Sequence, residues 1–239
     1  MDAPKLTDIH CHLVYGVDDG ARTIEMTTAM LKRAAENGID TVCCTSHAEP
    51  AQEPFPMDMY RRHLNEAQSV AEGLGIRLYP GSEIFVARNL PDALRDGAVP
   101  TLNNTRNVLV EFNPDTERDT IMSTVRRLGN AGYTTVIAHA ERYDGLRWMD
   151  DLMKVRADLG AVIQVNAGAL LYPRTFFQKR WLKRALARGL CDVVASDAHD
   201  DDHRPFRLRD AYDLLVSELG RDRANDMCVE TPRRLMGIE

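Results

Sequence analysis

Short apolar runs recur along the chain, each followed by a polar or glycine-containing loop and then an amphipathic stretch. The runs cover residues 6–9, 39–45, 76–79, 108–112, 134–138, 161–165 and 191–195. Several are rich in β-branched residues, the composition of strands buried on both faces of a parallel sheet. Helical patterns lie between them at 26–37, 57–74, 119–131, 181–188 and 205–219. Each ends at a glycine, at 38, 75, 132, 189 or 220, where a left-handed residue terminates a helix most readily. Thr231-Pro232 reads as an N-cap followed by proline at the first position of a last short helix. Strands alternating with helices imply parallel pairing through right-handed crossovers. The expectation is one domain over residues 1–239, a closed or nearly closed (β/α)7 barrel. An open doubly wound sheet fits the same period, which does not decide closure.

Composition narrows the class. The chain has 239 residues, 44% of them hydrophobic, and a formal net charge of -6. That suffices for one full barrel core and disfavours a non-specific binder of nucleic acid or anionic membrane. No apolar run approaches the ~20 residues of a membrane span. Met1-Asp2-Ala3-Pro4-Lys5 does not read as a secretory signal. Five cysteines, two of them adjacent (Cys43, Cys44), do not form a disulfide framework, and a reducing cytoplasm is expected.

Chemistry collects where the apolar runs end. The first ends in Asp8-Ile9-His10-Cys11-His12, with Val17-Asp18-Asp19-Gly20 in the loop beyond. Two residues apart on a strand, His10 and His12 share a face. The later runs end in His47, Glu83, Glu111, His139, Asn166 and Asp197-Ala198-His199. A barrel builds its active site from the C-terminal ends of its strands. One such histidine is more often a hydrogen-bonded structural residue, and a buried carboxylate such as Glu111 needs compensation. All of them in strand order predict a metal site. His10, His12, Asp19, His47, Glu83, Glu111, His139, Asp197 and His199 exceed the four ligands of a closed zinc site, so two or three ions are expected. Mixed imidazole and carboxylate ligands suit Mn2+, Fe2+ or Zn2+.

These strings resemble the polymerase-and-histidinol-phosphatase superfamily, and within it the CpsB/CapC type, manganese-dependent protein-tyrosine phosphatases of exopolysaccharide operons. Carrying the likeness are Val17-Asp18-Asp19-Gly20, Pro100-Thr101-Leu102-Asn103, Val110-Glu111-Phe112, Ala138-His139-Ala140-Glu141-Arg142-Tyr143, Val194-Ala195-Ser196-Asp197-Ala198-His199 and Arg204-Pro205. The resemblance implies a distorted (β/α)7 barrel holding three ions. His10, His12, Glu83 and Asp197 would hold one. Glu83 would bridge to a second with Glu111 and His139, and Asp19, His47 and His199 would hold the third. It also implies that Arg142 and Arg204 contact phosphate, a role suited to the planar guanidinium fork. From the residues alone, each arginine also reads as a solvated surface charge, the favoured reading for Arg204 in its polar loop. Cys11 and Tyr15-Gly16 depart from the family pattern at positions that are not ligands.

The implied reaction is direct hydrolysis of a phosphomonoester by metal-activated water, with a phosphotyrosine protein, a bacterial tyrosine autokinase, as substrate. The alternative is a small-molecule phosphatase of the histidinol-phosphate type. Exonuclease, amidohydrolase and a non-catalytic metal-dependent module fit less well. A thiol route has one pointer, Cys228 and Arg234 at the Cys-x5-Arg spacing. The intervening residues carry no glycine, and Glu230 would repel an anion.

Overall fold

The computed structural model describes residues 4–238. Met1–Ala3, part of the stretch read as lacking a secretory signal, lie outside that range. Seven strands pair in chain order, every neighbour parallel: β1 Leu6–Cys11, β2 Ile39–Ala48, β3 Arg77–Phe85, β4 Asn107–Glu111, β5 Thr134–Ile137, β6 Val162–Asn166 and β7 Val193–Ala195. The ends of the sheet meet at the mouth. His12 N–H donates to Ala198 O at 2.8 Å, Asp197 N–H donates to His10 O at 2.8 Å, and Cys11 bridges Ala198 in parallel. The open-sheet alternative is thereby excluded.

The helices are α1 Ile24–Glu36, α2 Met57–Glu72, α3 Leu90–Arg95, α4 Arg118–Asn130, α5 Met149–Ala157, α6 Ala167–Leu171, α7 Phe176–Ala187, α8 Leu208–Leu219, α9 Arg221–Asn225 and α10 Thr231–Leu235. None is long and apolar enough to cross a membrane. Gly38, Gly75, Gly132, Gly189 and Gly220 all have positive φ, as expected of residues that stop helices. Thr231 does not cap. It has φ -64 and ψ -45, because a five-residue π turn, Asp226–Glu230, carries the helical path of α9 straight into α10. Pro232 is the second residue of α10.

Two apolar layers hold the barrel. Ile9, Cys43, Leu109, Val136, Ala138, Val193 and Ala195 fill its interior, joined by Leu102, Leu235 and Met236. A larger layer lies between strands and helices. Register shifts in β1 between Asp8 and Cys11 break the two-residue alternation. Ile9 therefore sits in the inner layer and Cys11, two residues on, in the outer one. Asp8, fully buried, ties this irregularity to the opposite edge by accepting the N–H groups of His10 (3.1 Å) and Ser196 (3.2 Å). Burial outweighs these bonds and raises its pKa to about 6.

Candidate metal centre

The bulged end of β1 brings His10 and His12 to the mouth with their rings 5.4 Å apart. Parallel register sets His47 of β2 opposite Glu83 of β3, and Glu111 ends β4 beside Phe85. His139 and Asp197 lie two residues beyond the ends of β5 and β7, both in the left-handed region, with φ +33 and +56. A non-glycine residue there costs about 1–3 kcal/mol, and such strain collects at functional sites. Here it turns each side chain out of its strand direction and over the mouth.

Glu83 is the centre of the cluster and is buried. Its Oε2 lies 3.1 Å from His10 Nε2, 3.3 Å from His12 Nε2 and 3.3 Å from His47 Nδ1, and its Oε1 lies 2.8 Å from His139 Nε2. Burial opposes its charge, but the surrounding imidazoles, His10 first, hold its pKa well below the ordinary carboxylate range. Asp197 Oδ1 faces His10 Nε2 (3.4 Å), His12 Nε2 (3.6 Å) and His199 Nδ1 (3.5 Å). Glu111, read from the sequence as a buried carboxylate, is partly exposed at the rim, 3.4 Å from His139 Nε2 and 3.6 Å from His47 Nδ1. Asp19 is exposed, 3.5 Å from the Nε2 atoms of both His47 and His199. Donor atoms within reach of a single cation form three overlapping groups: His10, His12, Glu83 and Asp197; His47, Glu83 and Glu111; His12, Asp19, His47 and His199.

The imidazoles are aimed from behind. Asp18 Oδ2 accepts from His12 Nδ1 at 2.8 Å and from the His47 N–H at 2.9 Å. Gln164 Oε1 accepts from His10 Nδ1 at 3.1 Å and from the His139 N–H at 2.8 Å. His199 Nδ1 donates to its neighbour Asp197 O at 3.0 Å, and the Tyr143 hydroxyl meets His139 Nδ1 at 3.0 Å. With Nδ1 donating, the lone pair of His10, His12 and His199 belongs to Nε2, which faces carboxylate oxygens. The Nε2 atoms of His10 and His12 are buried without a hydrogen-bond partner. Lone pairs facing carboxylates in a buried pocket fit a divalent cation between them, with acceptors on the far nitrogens as metal-binding histidines require. Without cations, protons take their place. Burial opposes charging His12 and His139, yet Asp18 and Glu83 raise the pKa of the first to about 10, and Glu111 and Glu83 that of the second to about 9. His199, pressed by burial and by His12, is lowered to about 3.

Arg142 and Arg204 come together on one oxygen. Their Nη2 atoms donate to Asp197 Oδ2 at 2.6 and 2.8 Å, and Asn166 Nδ2 donates to it at 2.6 Å. Asp197 thus faces the imidazoles with one oxygen and the two guanidinium groups with the other. Asp18 and Tyr143 stand in the family strings without a role given to them, and Gln164 is in none of them. A usable signal existed for Gln164, an amide inside the apolar run of β6. Gly20 packs against His12 so closely that a Cβ would lie 2.1 Å from the His12 carbonyl oxygen.

Cys228 is fully buried in the π turn, burial pushes its thiol far above the ordinary range, and Arg234 donates to Thr231 Oγ1 within its own helix. The Cys-x5-Arg spacing forms no anion cradle.

The family described as "Capsular polysaccharide synthesis, CpsB/CapC" matches residues 6–237. The tyrosine-protein phosphatase CpsB of Streptococcus pneumoniae is 30% identical over 238 residues, 97% of this chain and 98% of the relative. That of Streptococcus agalactiae is 32% identical over 240 residues, with the same coverage. A solved structure from work on Bacillus subtilis YwqE and S. pneumoniae CpsB, described as unique metal-dependent tyrosine phosphatases, superposes with TM-score 0.88 at 27% identity, covering 97% of this chain and 94% of that one. An amidohydrolase from Mycoplasma synoviae, at TM-score 0.65 and 12% identity, shares the barrel fold alone. With this match across nearly its whole length, the chain belongs to the CpsB/CapC family.

Proposed function

We propose that this chain is a metal-dependent protein-tyrosine phosphatase acting in exopolysaccharide or capsule synthesis, with a tyrosine autokinase as its first substrate. The observation that carries the reading is the convergence of imidazoles and carboxylates around Glu83, walled on one side by two guanidinium groups on Asp197. The names of its relatives supply the phosphotyrosine.

The donor set suits two or three divalent ions, Mn2+ first, with Fe2+ and Zn2+ also matching imidazole and carboxylate. His10, His12, Glu83 and Asp197 would hold one. Glu83, Glu111 and His139, with His47 beside them, would hold a second, and Asp19, His47 and His199, with His12, a third. Bound ions of this kind polarise phosphoryl oxygens and activate water at neutral pH. The residues do the rest. Arg142 and Arg204 hold phosphate oxygens with planar forks and neutralise charge that grows on them. Asp18, Gln164 and Tyr143 keep the imidazoles oriented. A phenol leaving group, with a pKa near 10, departs with little protonic help. Five free, buried cysteines support a reducing cytoplasmic setting.

The test is a substrate panel on metal-reconstituted enzyme: phosphotyrosyl peptide, phosphoseryl peptide, histidinol phosphate and single-stranded DNA. Turnover should be fastest on the phosphotyrosyl peptide. Preference for histidinol phosphate would replace this reading with a small-molecule phosphatase.

A further inference from the structure

A cavity of about 270 Å3 adjoins the centre on the side of Arg142, Arg204 and Asp197, and runs past them to Tyr172, Arg174 and Arg207. Its lining carries four arginines, Arg142, Arg174, Arg204 and Arg207, against two carboxylates, Glu141 and Asp197. Arg142 and Arg204 already share Asp197. Among the described residues, Arg174 and Arg207 have no ion-pair partner within 4.0 Å. The Arg207 guanidinium lies 5.2 Å over the Tyr172 ring, in cation–π contact. Arg207 also borders Asp201, Asp202 and Asp210 on its other side, so Arg174 is the less compensated of the two. A local excess of positive charge stands out on a chain whose net charge is -6. Tyr172 lines the cavity, and Phe176 and Phe177 open the helix whose Gln178 also lines it; the three rings are 63%, 71% and 81% accessible. Clustered exposed rings mark surfaces that meet other molecules.

We propose that Arg174 and Arg207 read an acidic side chain flanking the phosphotyrosine of the substrate, while Tyr172, Phe176 and Phe177 carry the adjoining polypeptide. The inference rests on the phosphotyrosine reading above and adds substrate choice to it. A guanidinium offers donors matched to a carboxylate. At an exposed site each ion pair is worth up to about 1 kcal/mol, or roughly fivefold.

Three phosphotyrosyl peptides differing only at the flanking positions (Glu, Ala or Lys), together with p-nitrophenyl phosphate, test it on metal-loaded enzyme. The wild type should favour Glu over Lys by about fivefold or more in kcat/KM, the preference shrinking as salt rises. Arg174→Ala and Arg207→Ala should each flatten it, and Arg174→Glu should reverse it, with p-nitrophenyl phosphate turnover within about twofold of wild type because that substrate makes no flanking contact. Equal kcat/KM on all three peptides, or a Glu preference that survives both Arg174 substitutions, overturns the inference and leaves the phosphatase reading standing. Loss of p-nitrophenyl phosphate turnover in these variants would put the arginines in the reaction centre and equally overturn it. A wild type that hydrolyses p-nitrophenyl phosphate but none of the peptides removes the phosphotyrosine reading and this inference with it.

Discussion

Asp18 stands behind His12 at 2.8 Å and touches none of the phosphate-side groups described above. Its carboxylate is held down to about 2, against burial, mainly by His12. Asp18→Asn should keep the fold and lower metal affinity by about 10–100-fold, the usual cost of losing the partner behind a ligating imidazole; a competitive chelator titration measures it, and unchanged affinity would refute the orienting role. Arg142→Lys keeps charge but loses the fork. It should cut kcat/KM by about tenfold or more at unchanged metal content. Wild-type kinetics there would remove Arg142 from phosphate binding. The metal-free histidines set a pH dependence. His12 and His139 have folded pKa values of about 10 and 9, above the ordinary histidine value of 6.5. Their stabilising contribution is therefore full below pH 6.5 and is lost as pH rises through 9 and 10. Cations must displace those protons, so affinity should rise with pH across that window, with up to about two protons released per chain near pH 7.5. Calorimetry in buffers of different ionisation heat counts them, and no release would contradict the assignment.

The strands were legible because each apolar run stops at a histidine, a carboxylate or an amide, and the mouth is where those stops converge. The helix ends were legible through their glycines. The short helices α3, α5, α6 and α9 were not, having too few turns to show a period. The sequence pattern starts at 181 and α7 at Phe176, because Phe176 and Phe177 are apolar yet exposed and so break the amphipathic period in its first turn. Thr231 failed as a cap because the π turn before it was invisible in local pattern. Asp19 alone of the pair was read as a ligand; that Asp18 turns inward behind His12 depends on the loop that seats Gly20 against His12. That loop yields its own prediction. Gly20→Ala puts a methyl group into the His12 carbonyl, so metal binding should fall together with the melting temperature. A fully loaded, wild-type-like Gly20→Ala protein would show that the loop gives way freely.

Across the whole barrel, the candidate ligands converge on the mouth, whereas Cys228 lies in the buried π turn. Cys228→Ser should leave most activity, while His139→Ala should abolish it; a melting curve on the serine variant guards against mistaking a disturbed π turn for lost chemistry. The barrel is closed by hydrogen bonds between the end of β1 and the residues after β7, the same residues that aim His10, His12 and Asp197. Closure and the placement of the candidate ligands are thus one structural event. The most direct measurement is phosphotyrosyl-peptide hydrolysis followed while metal-free protein is titrated with Mn2+, with bound metal counted at each point. Activity should be absent in metal-free protein and should appear only as more than one ion binds per chain. Full activity with no metal bound, or with a single ion and no gain from a second, would contradict the multi-ion phosphatase proposed here.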